Sequence, residues 1–510
     1  MAQGIPNALA AVNNAAWPAR PHRVLRTRQQ GSIAVISAIC LLVIIGLIGF
    51  ALDLARVYNR RVELKGVANA AALAAARQLN GSAAGIAKAS AAAAAAAATY
   101  RYNYGQDAFA WSDAALQFSS SFDEHSVWLD AAAAASAPGK LFFARVRTDA
   151  LAGDAGVLET VLIKAMSARL DSVQLSDEAV AGRSSLDVAP LAICAMSSTP
   201  AEARVNPGTP AAEELVEYGF RRGVGYNLLN LNPNGAQPEH FLVNPIAQPG
   251  AAAVSSQTHT ATVAPFICTG SLWLPTFNGG ELRLIRPFPM ASLYPHFNAR
   301  FDDYSGGVCK PRGAPPDVNI KAYAFNGGAG WMAATPAGQG AAPATGPARL
   351  WTVADPSPAP GTNSAASYGP LWAYAKAVPF ARYSPGASEP AAGYATFGTG
   401  SWSTLYSPGA PVAALSYPTP GQGNRPYWTG AGAWFQAPSS ANRAYAQRNR
   451  RVLNIPLLAC PVGAGTSTSG TVLAIGRFFM TVPATSSALF AEFAGVIPET
   501  AVSGMVELYK

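Results

Sequence analysis

Charge is scarce in this chain. Of 510 residues only 13% are Asp, Glu, Lys or Arg, about half of the roughly 25% usual in soluble proteins. So low a fraction is uncommon in cytosolic proteins of this size and suits an exported, loop-rich chain with much Ala, Gly and Pro. Histidine is scarcer still, at five residues. None falls in H-E-x-x-H, and neither G-x-S-x-G nor a phosphate-cradling Gly loop occurs. Catalytic, metal and cofactor-binding motifs are therefore all absent, and the chain is expected to be no enzyme and to take no small-molecule substrate. Of five cysteines, Cys40 lies in an apolar run. Cys194, Cys268, Cys309 and Cys460 make no C-x-x-C pair, which argues against zinc and thioredoxin-like chemistry. An even number fits two disulfides and an oxidising compartment, four buried thiols being the alternative. Three pairings are possible. The similar stretches PLAIC (190–194) and PLLAC (456–460) point to Cys194 with Cys460, leaving Cys268 with Cys309.

What the chain has in plenty is one long apolar run. Ile33 to Leu52 is twenty residues without a charge, the length that crosses about 30 Å of hydrocarbon. A core helix of such purity is rare, and a signal-peptide core spans only about 7–15 residues. The run therefore predicts a single membrane anchor, with lipid as a partner. Much of the net charge of +8 collars it: Arg20, Arg23, Arg26 and Arg28 before, Arg56, Arg60, Arg61 and Lys65 after. That distribution speaks against nucleic acid, since no interleaved basic and aromatic stripe accompanies it. Four cations on each side leave the positive-inside rule tied. The short loop-like N-terminus and the cysteines of the larger part favour a cytoplasmic N-terminus with the bulk outside.

No Pro and no turn cluster follows Leu52, so the helix is expected to continue into water. Leu54, Val57, Leu64, Ala68, Ala71, Ala75 and Leu79 recur at helical spacing, and Ala is the strongest helix former. Asn80-Gly81 reads as a C-cap and turn. Ser82 to Ala98 predicts a second, Ala-rich helix folded back on the first, a disordered spacer being the competing view.

The stretch from Gly31 to Leu79 resembles the N-terminal segment of the TadE/TadG-like proteins of the Flp (tight-adherence) pilus assembly system. Gly31, Asp53, Arg56, Tyr58, Leu64 and the box Asn69-Ala-Ala-Ala-Leu73-Ala carry the likeness, with Asn69 where the family usually has Asp. The resemblance implies a bacterial inner-membrane protein facing the periplasm, with other pilus assembly proteins as partners and a role in pilus biogenesis or cell adhesion. Pseudopilins of the family carry Glu five residues after the cleaved Gly. Here that position is Ile36, so processing is not expected. Some TadG-like members have a von Willebrand A metal site; DYSGG from Asp303 lacks its second Ser, so the subgroup without that domain is indicated.

The expected fold class is α+β, membrane-anchored. It divides into a cytoplasmic tail (1–30), a transmembrane helix (31–53), the extracytoplasmic and Ala-rich helices (54–104), a small pilin-like region (105–189) and a β-rich domain (190–510). In the small region, 115–122, 140–148 and 169–182 read as strands and 156–168 as a helix. In the large one, short apolar runs such as 241–247, 271–277, 451–460, 470–484 and 504–510 predict an antiparallel sandwich or open barrel. A Pro/Gly/aromatic loop region spans 334–440. Its Trp351, Trp372, Trp402, Trp428 and Trp434 could form a sugar-stacking surface, which would make the chain an envelope-tethered adhesin or glycan-binding module. The alternative is that they pin long loops to the sheet. Asp302 and Asp303, His125 beside two acids, and NLNPNG (230–235) are read as hydrated turns, not as catalytic or calcium sites.

Overall fold

The computed structural model describes residues 30–509, less 121, 123–125, 139–140, 167–170, 207–210, 247–254, 275–276, 278–281, 326–331, 334–341, 344–349, 352–371, 388, 399–400, 406–425 and 503. The N-terminal tail, His125 and much of the 334–440 region fall outside them. The chain divides into two units, Met1–Asn59 with Leu158–Val173, and Arg60–Val157 with Gln174–Lys510.

Helix α1 runs unbroken from Gln30 to Gln78. Its first part is exposed wherever it is large and apolar, from Ile33 through Leu52, at a mean hydropathy of 3.0 over the most apolar window. Among the described residues it is the one helix long and apolar enough to cross a membrane. Its last part is the reverse. Leu64, Val67, Ala68, Ala71, Ala72, Ala75 and Ala76 are fully buried, on the stripe that the 3.6-residue period lays along one face. Leu54 departs from the expected stripe and is exposed. The helix ends as the chain turns at Gly81, whose φ of 73° suits glycine. The Arg183 guanidinium then meets the free carbonyl of Arg77 at 2.8 Å.

Helix α2, Ala83–Ala98, is N-capped by the Ser82 hydroxyl, which accepts from the Gly85 amide. Its buried Ile86, Ala89 and Ala93 join the α1 alanines in one apolar cluster. Leu116, Phe118, Ala144, Val146, Ala179 and Ala181 of a four-stranded antiparallel sheet complete that cluster. The sheet is ordered Val506–Leu508, Glu178–Arg183, Phe143–Arg147, Leu116–Ser119. The chain's end thus supplies an edge strand to a sheet otherwise built from residues before 190. Residues 156–168 do not form the expected helix. Among the described residues Val157–Glu159 is a strand and only Ile163–Met166 is helical, because the amides of residues 161–163 bond to a side chain instead of to the carbonyls four residues earlier.

The larger core surrounds an open eight-stranded sheet. Its order is Gly225–Asn227, Phe490–Ile497, Val472–Met480, Val452–Leu458, Leu191–Cys194, His240–Val243, Leu282–Ile285, Ser467–Gly470. All neighbours are antiparallel except Leu191–Cys194 with Val452–Leu458. Successive side chains point to opposite faces, and both faces are covered. Leu191, Ile193, Leu242, Leu453 and Ile455 enter one apolar cluster, while Ala192, Cys194, Phe241 and Val243 enter another. Among the described residues of 271–277 no strand forms: Leu272 makes one isolated bridge to Leu186, and Trp273 is exposed.

Candidate functional site

Within the smaller unit two of the residues that carry the family likeness, Asp53 and Arg56, build a clasp. Asp53 follows the apolar run directly, and its side chain is 2% exposed. Its carboxylate accepts the amides of Val161, Leu162 and Ile163 at 3.1, 2.8 and 2.7 Å. Three residues on, Arg56 stands 3.6 Å from Asp53 and donates to the Glu159 carbonyl at 3.2 Å. One turn earlier, a Cβ at Gly49 would lie 2.9 Å from Leu162 Cβ. The helical spacing 49, 53, 56 therefore makes a single face on which the 159–163 turn is seated. A backbone turn beside so apolar a helix needs its N–H groups satisfied by protein, and one carboxylate serves three of them.

The other residues of the motif do separate work. Gly31 lies in the first turn of α1. Tyr58 is exposed, Leu64 is fully buried, and Leu73 is half-buried against the alanine cluster. Asn69 Oδ1 is buried with no hydrogen-bond partner among the described residues.

The structure joins Cys194 to Cys460 and Cys268 to Cys309. The first bond ties the two parallel strands at their paired ends, where Cys194 is in register with Leu458. The two groupings that could hold a metal, Cys268-His296-Cys309 and Cys194-Glu239-Cys460, both have their sulfurs committed to these bonds.

Among the described side chains the tryptophans do not form one surface. Trp372 is fully buried in the larger core. The segment after it is fixed by Glu492, whose carboxylate accepts the amides of Ala373, Tyr374 and Ala375 at 2.8, 3.1 and 2.7 Å. Trp428 and Trp434 are half-buried against a second aromatic cluster. Trp428 stacks with Tyr374 and lies under the Arg448 guanidinium. The side chains of Trp351 and Trp402 lie outside the described residues. Asp302 accepts the Ser439 amide and the Asn442 side chain, each at 2.7 Å. Asn232 accepts the Asn234 amide. Asn232 therefore bonds as turn residues do, whereas Asp302 ties down a segment far along the chain and is not merely a hydrated turn residue.

Sequence reasoning missed the charged hairpin at 212–222. Tyr218 and Gly219, both at positive φ, make a two-residue turn between Glu217 and Phe220, the geometry that suits tight hairpins. Glu214 pairs with Arg221 at 2.7 Å, both fully buried. Arg222 pairs with Glu217 at 2.6 Å and with Glu389 at 2.9 Å. Burial acts to lower the Arg222 pKa, but the two carboxylates outweigh it and hold it above its ordinary value. Arg222, Glu217 and Glu389 line a cavity of about 650 Å³ with Tyr218, Tyr383 and Tyr394. The string EELVEYGFRR, acids before a Tyr-Gly pair and cations after it, was the available signal.

No curated protein and no solved structure matches the chain. Residues 31–78, all of α1 but its first residue, match the Tad family model, Flp pilus-assembly TadE/G-like, the family that this segment resembles in sequence.

Proposed function

We propose that this chain is a non-catalytic component of Flp-type (tight-adherence) pilus assembly, anchored in the bacterial inner membrane by Ile33–Leu52. Its N-terminus lies in the cytoplasm and its bulk in the periplasm. It acts through packing of its apolar helix with similar helices and through binding of other pilus assembly proteins by the β-rich part.

One observation carries this reading: the Tad match begins and ends with a single helix, apolar and exposed in its first part, built into a core in its last. A stalk of that kind is suited to holding a folded part near lipid. Two disulfides support the oxidising side of the membrane. Deleting the gene in its host tests the proposal. Pilus number and surface adhesion are expected to fall and to return with the intact gene. A reporter fused after residue 110 is expected to be active only in the periplasm. Unchanged piliation and adhesion, or a reporter active only in the cytosol, overturn the reading.

A further inference from the structure

The turn that Asp53 clasps presents apolar side chains to its surroundings. Val161 is 53% and Leu162 38% exposed, and Lys164 is exposed close by. From Thr160 to Ala168 the sequence carries one charge, that of Lys164. The Thr160 amide donates to the Asp171 carbonyl at 2.9 Å, which closes the base of the segment. The turn and the apolar part of α1 belong to the same unit.

Its level along α1 is set by Gly49. Among the described residues from Ile33 to Leu52, Gly49 is the one that is buried, and Leu162 is what a side chain there would meet. Gly49 stands three residues before the end of the apolar run, about 4–5 Å inside it at the helical rise of about 1.5 Å per residue. Leu162 is therefore level with the span and not with the water beyond it. Ile45 and Leu52, one turn to either side of Gly49 on the same face, are exposed, so the apolar surface of the turn continues that of the helix. Backbone outside a helix is tolerated at lipid depth only where protein satisfies it. The amides of Val161, Leu162 and Ile163 all end on the Asp53 carboxylate, a provision that water would make unnecessary.

We propose that the turn at 160–164 is a second membrane contact, with Val161 and Leu162 among the upper acyl chains of the periplasmic leaflet and Lys164 at the lipid phosphates. A short apolar element with a cation beside it binds bilayers at the boundary of headgroups and chains, and a Lys stem lies along apolar surface while its charge stays wet. The inference rests on the reading of Ile33–Leu52 as a membrane anchor and adds a lipid contact made by a segment more than a hundred residues further along the chain.

The test uses the full chain carrying Cys40→Ser, in nanodiscs of phosphatidylethanolamine and phosphatidylglycerol. The other four cysteines are held in disulfides, so a nitroxide attaches only where a cysteine is added, by Val161→Cys, Leu47→Cys or Val205→Cys. Power-saturation EPR compares access to oxygen, which partitions into lipid, with access to a water-soluble nickel chelate. The oxygen-to-nickel ratio at Val161 is expected to exceed that at Val205, an exposed residue of the β-rich part, at least about threefold and to approach that at Leu47. In the unaltered chain a lipid with a photoreactive acyl chain is expected to label 161–163 as well as 33–52, which serves if Val161→Cys fails to assemble. Nickel access at Val161 equal to that at Val205, with Leu47 shielded, overturns the inference and leaves the anchor standing, as do adducts confined to 33–52. Exclusion of both reagents from Val161 overturns it in favour of a protein seated on the turn. Nickel access at Leu47 removes the anchor and the inference together.

Discussion

The Leu162 amide donates to Asp53 Oδ2 at 2.8 Å across 109 residues of sequence. With the neighbouring amides of Val161 and Ile163 it gives the first charge after the apolar run a structural task. Asp53→Ala leaves three amides without their acceptor, and each buried orphan costs about 1–3 kcal/mol. The expected outcome is loss of hydrogen-exchange protection at residues 161–163, with protection of α1 residues 64–76 retained. Asp53→Asn, which keeps an acceptor oxygen, is expected to fall between the two. Unchanged exchange in Asp53→Ala would show that the clasp does not depend on its carboxylate.

Gly49 is required by space. Any side chain there meets Leu162, since Cβ to Cβ would be 2.9 Å. Gly49→Val is expected to lift the 159–163 turn off its seat, which raises cleavage there in limited proteolysis of the detergent-solubilised chain. Leu162→Gly in the same molecule is expected to restore resistance, because it removes the Cβ at the contact. Neighbouring positions of this kind should be non-additive by about 0.5–3 kcal/mol.

How much of this could be read in advance depended on how local the cause was. The apolar run, the alanine stripe and the Asn80-Gly81 turn are short-range patterns, and α1 and α2 follow them closely. The disulfides were legible through the likeness of PLAIC to PLLAC, which turns out to be two parallel neighbours in one sheet. The clasp was half legible. Its donor segment was misread as a helix because Leu158, Leu162 and Met166 keep helical spacing, and nothing local tells that Asp53 draws off the amides. Trp372 was illegible as core for a similar reason. Its loop is held by Glu492, 120 residues further on, and a Trp in a Pro- and Gly-rich stretch looks the same buried or exposed until the acid that anchors it is known.

The two disulfides should differ in what they contribute. A cross-link stabilises mainly by restricting the unfolded chain, more so for longer loops. Cys194–Cys460 spans 266 residues and Cys268–Cys309 spans 41. On the loop-entropy relation these correspond to about 6 and about 4 kcal/mol. Cys194→Ala with Cys460→Ala is expected to lower the Tm more than Cys268→Ala with Cys309→Ala, and dithiothreitol should lower it further only where a bond remains. The reverse order would mean that local packing, not chain entropy, sets the contribution.

Acid should loosen the larger core through His240. Its ring stands in the strand His240–Val243, and Nδ1 accepts the Phe288 amide at 3.1 Å. Burial lowers its pKa from 6.5 to about 4. The folded form therefore holds the neutral ring while the unfolded chain takes up a proton from pH 6.5 downward. The stabilisation is complete above pH 6.5, declines as the pH falls, and is lost at about pH 4, where the folded ring protonates too. A shift of this size corresponds to at most about 3 kcal/mol. Urea unfolding of the full chain at pH 7.5, 5.5 and 4.5 is expected to show falling stability, and His240→Gln, which keeps a polar acceptor without titrating, should flatten that dependence. Equal slopes in the two proteins would assign the acid sensitivity to groups other than His240.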